Sequence, residues 1–161
     1  MLILALDPGK TTGACAIRTD GSKKGFVVVT ALEIPWESRL GTLEALIDGT
    51  FFDKKKPQPP EAIVVESFHL RQGRAYEQAG SDFPSSQVIG SIQAFLWLDR
   101  EMFSCQRLVY GLERLYLQEP VIIARVRIDD PDLPVVQGSP HKQDAYKHAK
   151  FYFCAHVREW R

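Results

Sequence analysis

The sequence predicts an α/β fold whose central sheet carries acidic residues at one edge. Two apolar runs, residues 2–6 and 62–65, are bounded by turn residues, and each ends in a carboxylate, Asp7 and Glu66. Short apolar runs between turn signals are typical of buried strands. If the two strands are parallel, both carboxylates lie at the same edge of the sheet, which is where open α/β sheets bind ligands.

Composition limits the class of protein. A chain of 161 residues is expected to form one domain, residues 1–161, with a sizeable core. No apolar run is long enough for a membrane span and no basic segment precedes the first run, so we expect a cytoplasmic protein with no membrane partner. The 20 basic and 20 acidic residues cancel, which argues against binding by overall charge but allows a local basic face. The three cysteines lack zinc-ligand spacing and are expected to be reduced thiols.

The first half of the chain predicts a meander followed by a helix. Strands are expected over 2–7, 13–19 and 26–33, joined by short turns rich in Gly and Asp. Leucines and an isoleucine at helical spacing predict a helix over 37–48, and Gly49 is suited to its C-cap. The lysine run 54–56 is expected to be a solvated loop.

The middle of the chain predicts a long loop and a long helix. Residues 67–86 are polar with scattered arginines and aromatic rings, a composition that suits a nucleic-acid backbone and its bases, although an ordinary surface loop is the alternative. Ser85 or Ser86 is expected to cap a helix over 87–103. A short strand is expected over 115–117, and Pro120 predicts a helical turn through Ile123.

The last predicted helix begins at Ser139 and Pro140, a suitable N-cap and first-turn pair, and runs through Phe153. His141 and Asp144 are three residues apart, so we expect them to be neighbours in its first turn, where the helix dipole favours the charge of Asp144. Lys142, Lys147 and Lys150 are expected to provide a basic flank.

Asp7, Glu66, Asp144 and His141 together predict a metal-dependent phosphodiesterase centre. Hard divalent cations such as Mg²⁺ prefer carboxylate oxygens, and such a set could hold two ions that activate water and stabilise the leaving oxygen. Each residue alone has a simpler reading, since Asp-Pro-Gly is mostly a turn and a helix-start His-x-x-Asp is mostly a cap. All three sites in this strand, strand, helix order are much less expected by chance.

Three motifs resemble a known family. Residues 4–9 (LALDPG) with Thr12 and Gly13, residues 63–66 (IVVE) and residues 141–145 (HKQDA) are similar to the RuvC family of Holliday-junction resolvases, in the ribonuclease-H-like superfamily. The short RuvC-like proteins of phages and prophages are the most similar members. The resemblance covers the whole chain in element order.

This resemblance implies a ribonuclease-H-like fold with a mixed five-stranded central sheet flanked by helices. It also implies a homodimer that nicks two strands of a four-way junction symmetrically, using two Mg²⁺ or Mn²⁺ ions per site. Asp7, Glu66 and Asp144 match the family's metal ligands, and His141 stands where members have Asp or His. The family's aromatic wedge position is occupied by His69, with Phe68 beside it. Phosphate contacts would come from a local basic surface of Lys10, Arg71, Arg74, Lys142 and Lys147.

Other functions remain open from the sequence. The same fold could act on RNA, flaps or replication forks, or serve as a catalytically silent nucleic-acid-binding module, which would have no need of the acidic set. The Asp-x-Gly turn with Thr and Gly also resembles the phosphate loop of actin-like ATPases and sugar kinases. Those are usually much longer, two-domain proteins.

Overall fold

The structure is a computed structural model that describes residues 1–19, 25–67, 83–96, 121–123 and 139–157. The predicted strand at 115–117, most of the loop 67–86 and the end of the helix predicted over 87–103 lie outside these residues. In chain order the elements are β1 (Leu2–Asp7), β2 (Thr11–Arg18), β3 (Val27–Pro35), a 3₁₀ turn (Trp36–Ser38), α1 (Arg39–Asp48), β4 (Ala62–Glu66), α2 (84–96), β5 (Val121–Ile123), α3 (Pro140–Tyr152) and a π turn (Phe153–Val157).

The sheet is mixed, as predicted, with strand order β3-β2-β1-β4-β5. β1, β2 and β3 form the expected antiparallel meander, and β4 pairs in parallel with β1. Four strands have five to nine residues, while the edge beside β4 is held by the three residues of β5. The fold is therefore a mixed α/β arrangement in which β1 occupies the centre.

The two faces of the sheet are buried by different helices. Alternate residues of β1 point to opposite faces, so Leu4 and Leu6 pack with α1 and α2, while Ile3 and Ala5 pack with α3. Burial on both faces explains why β1 is apolar at every position before Asp7. The position of a residue in β1 therefore determines which helices its side chain packs against.

The helix predicted over 37–48 and its C-cap are confirmed in outline. The first two residues of the predicted range, together with Trp36 before them, form a 3₁₀ turn instead, and α1 begins at Arg39. Gly49 ends α1 with a φ of 84°, in the left-handed region that favours glycine. A Cβ at Gly49 would also overlap the backbone of Gln58 and Pro59, so this position excludes larger residues on two grounds.

Two local predictions are wrong. Residues 121–123 form β5, paired in parallel with β4, and not a helical turn; the ladder beside β4 overrides a weak local signal. The helix α2 begins at residue 84, so Ser85 and Ser86 lie inside its first turn and do not cap it. Proline at the first position of a helix suits its missing N–H.

No helix in the described ranges is long and apolar enough to cross a membrane.

Candidate active site at the sheet edge

Asp7 is the last residue of the central strand. It pairs with Gly13 of β2 in the antiparallel ladder, and its side chain is 14% exposed. Because Asp7 follows Ile3 and Ala5 at a spacing of two, it points to the face covered by α3. The turn after it is held by two hydrogen bonds: Thr12 Oγ1 donates to the carbonyl of Gly9 at 3.2 Å, and Ser85 Oγ donates to the carbonyl of Pro8 at 2.7 Å.

Glu66 ends the neighbouring parallel strand, as the sequence predicted. The last ladder pair of β1 and β4 is Leu6 with Val65, so Asp7 and Glu66 are the next residues along the two strands. Ala62 and Val64 belong to the cluster packed on α3, which places Glu66 on that same face. The two carboxylates therefore share one edge and one face of the sheet.

Gly13 allows α3 to approach this edge. A Cβ at Gly13 would overlap the backbone carbonyl of His141, which lies in the first turn of α3. Only a residue without a side chain fits between β2 and the helix at this height. Gly13 thus has a packing role, because it allows the first turn of α3 to lie against β2.

His141 contacts Asp7 directly. Its Nδ1 lies 3.0 Å from Oδ2 of Asp7, an interaction between residues 134 positions apart. The imidazole is 44% exposed, while the carboxylate is mostly covered. The imidazole has one nitrogen in contact with a carboxylate and is substantially exposed. Such a group is suited to hold or move a proton next to a bound substrate.

Asp144 differs from its predicted setting. It is the fifth residue of α3, and the first turn of that helix holds no acidic residue. The expectation that the helix N-terminus balances its charge is therefore wrong. Lys147 Nζ lies 2.9 Å from Asp144 Oδ1 instead, with both side chains largely covered. Lys147, predicted to be on a basic flank, here neutralises an acid of the site.

Sequence reasoning missed His148 as a site residue. It is fully buried on α3, and its Nε2 lies 3.4 Å from Oε2 of Glu66, whose side chain is 16% exposed. The available signal was the spacing: His141 and His148 are seven residues, or about two helical turns, apart and so share a face. Each contacts the carboxylate at the end of one of the two parallel strands.

Among the four predicted metal ligands, Asp7 contacts His141, while Glu66 lies near His148 and Asp144 contacts Lys147. Within the described ranges, no group of three or more His, Cys, Asp or Glu side chains lies close enough to hold a metal ion. The donor chemistry still fits a hard divalent cation, because two mostly buried carboxylates end adjacent strands on one face. Asp7 and Glu66 could hold such an ion, with Asp144 and His141 on the helix that covers them.

The remaining predicted nucleic-acid contacts are only partly described. Lys10 is exposed in the turn after Asp7, and Lys142 is half-buried in the first turn of α3. Phe68, His69, Arg71 and Arg74 lie outside the described residues. Two lysines of the predicted basic surface therefore flank the carboxylate edge.

Comparison with known proteins gives structural similarity without a sequence match. No family model matches the chain, and no curated protein matches it. A structure of Thermus thermophilus RuvC in complex with a Holliday junction substrate is similar over 96% of this chain and 94% of that one, at 16% identity and a TM-score of 0.48. A second Thermus thermophilus RuvC structure is similar over 94% and 95%, at 17% identity and a TM-score of 0.44. These similarities are too low to assign a function, so a functional conclusion depends on the residues of this chain's own site.

Proposed function

We propose that this protein is a metal-dependent endonuclease that cleaves phosphodiesters in branched DNA and resolves four-way junctions by paired nicks. The observation that carries the proposal is the placement of Asp7 and Glu66 at the ends of adjacent parallel strands, on the face covered by α3. Asp144 and His141 come from that helix. The three motifs that resemble the RuvC family are the segments that supply these four residues.

The proposal includes two Mg²⁺ ions per site, with Mn²⁺ as a substitute. Asp7, Glu66 and Asp144 would hold them, and His141 is either a further ligand or a residue that handles the attacking water. The bound ions would supply Lewis-acid stabilisation of the phosphate and a water of lowered pKa. Asp144 would exchange the ammonium group of Lys147, which lies 2.9 Å away, for the bound ions.

The chain's own groups account for the rest of the reaction. A water oxygen attacks phosphorus, the bond from phosphorus to the 3′ oxygen breaks, the 3′ oxygen takes a proton from solvent to become a hydroxyl, and the attacking water's proton must leave. His141 is placed to accept that proton, because its ring is exposed and its Nδ1 contacts Asp7 at 3.0 Å. Asp7 would stabilise the resulting imidazolium by its negative charge.

The proposed partner is branched DNA, and the proposed assembly is a homodimer. The proposed fold is ribonuclease-H-like, as in the RuvC-like proteins of phages. Lys10, beside the site on an exposed turn, and Lys142 would contact phosphates. Phe68, His69, Arg71 and Arg74, after Glu66 in the sequence, would contact the junction itself. Two copies are needed because one active site cuts one strand, whereas resolution needs two symmetric cuts.

The test is a cleavage panel: a synthetic four-way junction, a linear duplex, a flap and a structured RNA, each with Mg²⁺, with Mn²⁺ and with EDTA. Paired nicks in the junction that disappear with EDTA are expected. Glu66→Gln should abolish cleavage, while Glu44→Gln, an exposed residue on α1 at the opposite face, should not. Selective cutting of the flap or the RNA would show that this molecule, and not the four-way junction, is the substrate. No cutting of any substrate would contradict the proposal that the protein is a nuclease.

A further inference from the structure

His148 stands apart from the other histidine of the site by its burial. His141 is 44% exposed, whereas His148 is completely enclosed in the core between α3 and the sheet. Its neighbours on α3, Ala145, Ala149 and Tyr152, belong to that apolar cluster. A buried imidazole in apolar surroundings requires polar partners, and the carboxylate of Glu66 lies at ion-pair distance from it.

The direction of the imidazole is the informative feature. Nε2 of His148 lies 3.4 Å from Oε2 of Glu66. This separation is longer than a typical charge-assisted hydrogen bond, so the structure shows the two groups at ion-pair distance and not joined by a hydrogen bond at that oxygen. Burial excludes His148 from contact with a substrate, so its effect on the reaction is indirect, and Glu66 is a site residue that its ring faces.

We propose that His148 is a positioning residue whose Nε2–H holds one oxygen of the Glu66 carboxylate and so fixes the plane of that group. This inference rests on the proposed function of Glu66. An unsupported carboxylate at a strand end rotates about its terminal bond, and ligand carboxylates are commonly held by an outer hydrogen bond. Helix α3 then orients both strand-end acids, Asp7 through His141 and Glu66 through His148.

The proposed contact with Glu66 explains why residue 148 is a histidine, which packing alone does not explain. Ala145 and Ala149, on the same helix face, are small and apolar, as expected for a helix that lies close to a sheet. A leucine would fill the volume of His148 without a desolvation cost. A histidine at this position makes sense where its N–H has an acceptor at the site.

The experiment compares two substitutions in the full-length protein. His148→Leu keeps the volume and removes the donor, while His148→Gln keeps an N–H donor near the place of Nε2. Mn²⁺ affinity is measured by calorimetry without DNA, and kcat and KM are measured on the junction. Ile3→Val, in the same apolar cluster and near the start of β1, four residues before Asp7, controls for loss of packing.

His148→Leu should weaken Mn²⁺ binding by roughly 10–100-fold and lower kcat with little change in KM. His148→Gln should recover much of both, and Ile3→Val should leave both unchanged. Wild-type affinity in His148→Leu, or equal losses in the Leu and Gln variants, would overturn the positioning role. Thermal melts establish that each variant is folded.

A second measurement needs no substitution at His148. Long-range ¹H–¹⁵N spectra of the wild-type protein report which ring nitrogen carries the proton. A protonated Nε2 is expected, and a bare Nε2 with the proton on Nδ1 alone would overturn the inference. Glu66→Gln separates the two proposals: if it leaves Mn²⁺ affinity unchanged, the proposed function of Glu66 fails, while the spectrum still tests the contact.

Discussion

Asp7 and His141 are 134 residues apart in the chain, and their side chains meet with His141 Nδ1 3.0 Å from Asp7 Oδ2. Three features bring them together. The ladder between β1 and β2 sets Asp7 opposite Gly13, the missing side chain of Gly13 admits the first turn of α3, and His141 lies in that turn. The contact therefore depends on the Asp-Pro-Gly and Thr-Gly motifs together.

Replacing His141 by aspartate should make stability depend on divalent ions. His141→Asp puts a second carboxylate beside Asp7, and the repulsion should cost about 1 kcal/mol without metal. The melting temperature should then fall by about 2–4 °C in EDTA and recover in Mg²⁺. His141→Asn, which keeps a donor near the place of Nδ1, is the control and should show no such recovery. Equal melting temperatures with and without Mg²⁺ in His141→Asp would count against an ion at Asp7.

Gly13→Ala should destabilise the fold at the junction of β2 and α3. The added Cβ meets the backbone of His141, which cannot move aside as a flexible side chain could. We expect a loss of about 3 kcal/mol, at the upper end of the cost of overpacking, measured by urea unfolding. Gly90→Ala is the matched control, because Gly90 is exposed on α2 with nothing within 4 Å of an added Cβ. That variant should gain about 0.5–1 kcal/mol, and a similar response of the two would refute the close approach.

Ser85→Ala should weaken the support of the turn after Asp7. The Ser85 hydroxyl donates to the carbonyl of Pro8 at 2.7 Å and joins α2 to that turn. Its loss should cost about 1 kcal/mol in a denaturant titration. Ser91→Ala is the control within the same helix, since Ser91 donates only to the carbonyl of Gln87 one turn earlier. A serine that bonds to the carbonyl one turn earlier contributes little to the stability of its helix. If Ser91→Ala lowers the free energy of unfolding as much as Ser85→Ala does, the Pro8 contact has no special role.

Cys15 should be unreactive in the folded protein. Burial against β1 and α3 raises the pKa of its thiol to about 12 from an ordinary 9.0, and the thiolate is the reactive form. In a Cys105→Ser, Cys154→Ser background, a thiol reagent at pH 8 should react only after denaturant is added. A variant that retains only the half-buried Cys154 should react faster, and rapid reaction of Cys15 without denaturant would contradict its burial.

The same thiol should make stability fall at high pH. The folded state holds the proton up to a higher pH than the unfolded chain does, so this contribution is complete below pH 9 and is lost as pH rises toward 12. Cys15→Ala should flatten that part of the stability profile. An identical alkaline slope in both proteins would exclude Cys15 as its source.

The edge of the sheet could be predicted from sequence because its signals are local. Asp7 and Glu66 each follow an uninterrupted apolar run, and strand ends of this kind are fixed by burial and turn residues together. The start of α3 was predicted for the same reason, from Ser139 and Pro140. What remained conditional was the parallel pairing of β1 and β4, which the ladder confirms.

Three of the failures share one cause, which is that tertiary partners decided them. Residues 121–123 become a strand because β4 offers them a ladder. Ser85 donates a hydrogen bond to the carbonyl of Pro8 in a distant turn, although its sequence context predicted a local helix cap. His148 had the helical spacing of a site residue, but only the packing of α3 on the sheet reveals that it faces Glu66. Lys147 is different, because its partner Asp144 is a local neighbour three residues earlier in the same helix.

The central claim is that Asp7 belongs to a metal-dependent nuclease site, and one measurement tests it most directly. Wild type and Asp7→Asn are compared on the same labelled four-way junction, with binding followed in EDTA and cleavage followed after Mg²⁺ is added. The account predicts equal binding, paired nicks by the wild type and none by Asp7→Asn, because the substitution removes a ligand charge and leaves the phosphate contacts. Nicking by Asp7→Asn at the wild-type rate would contradict it.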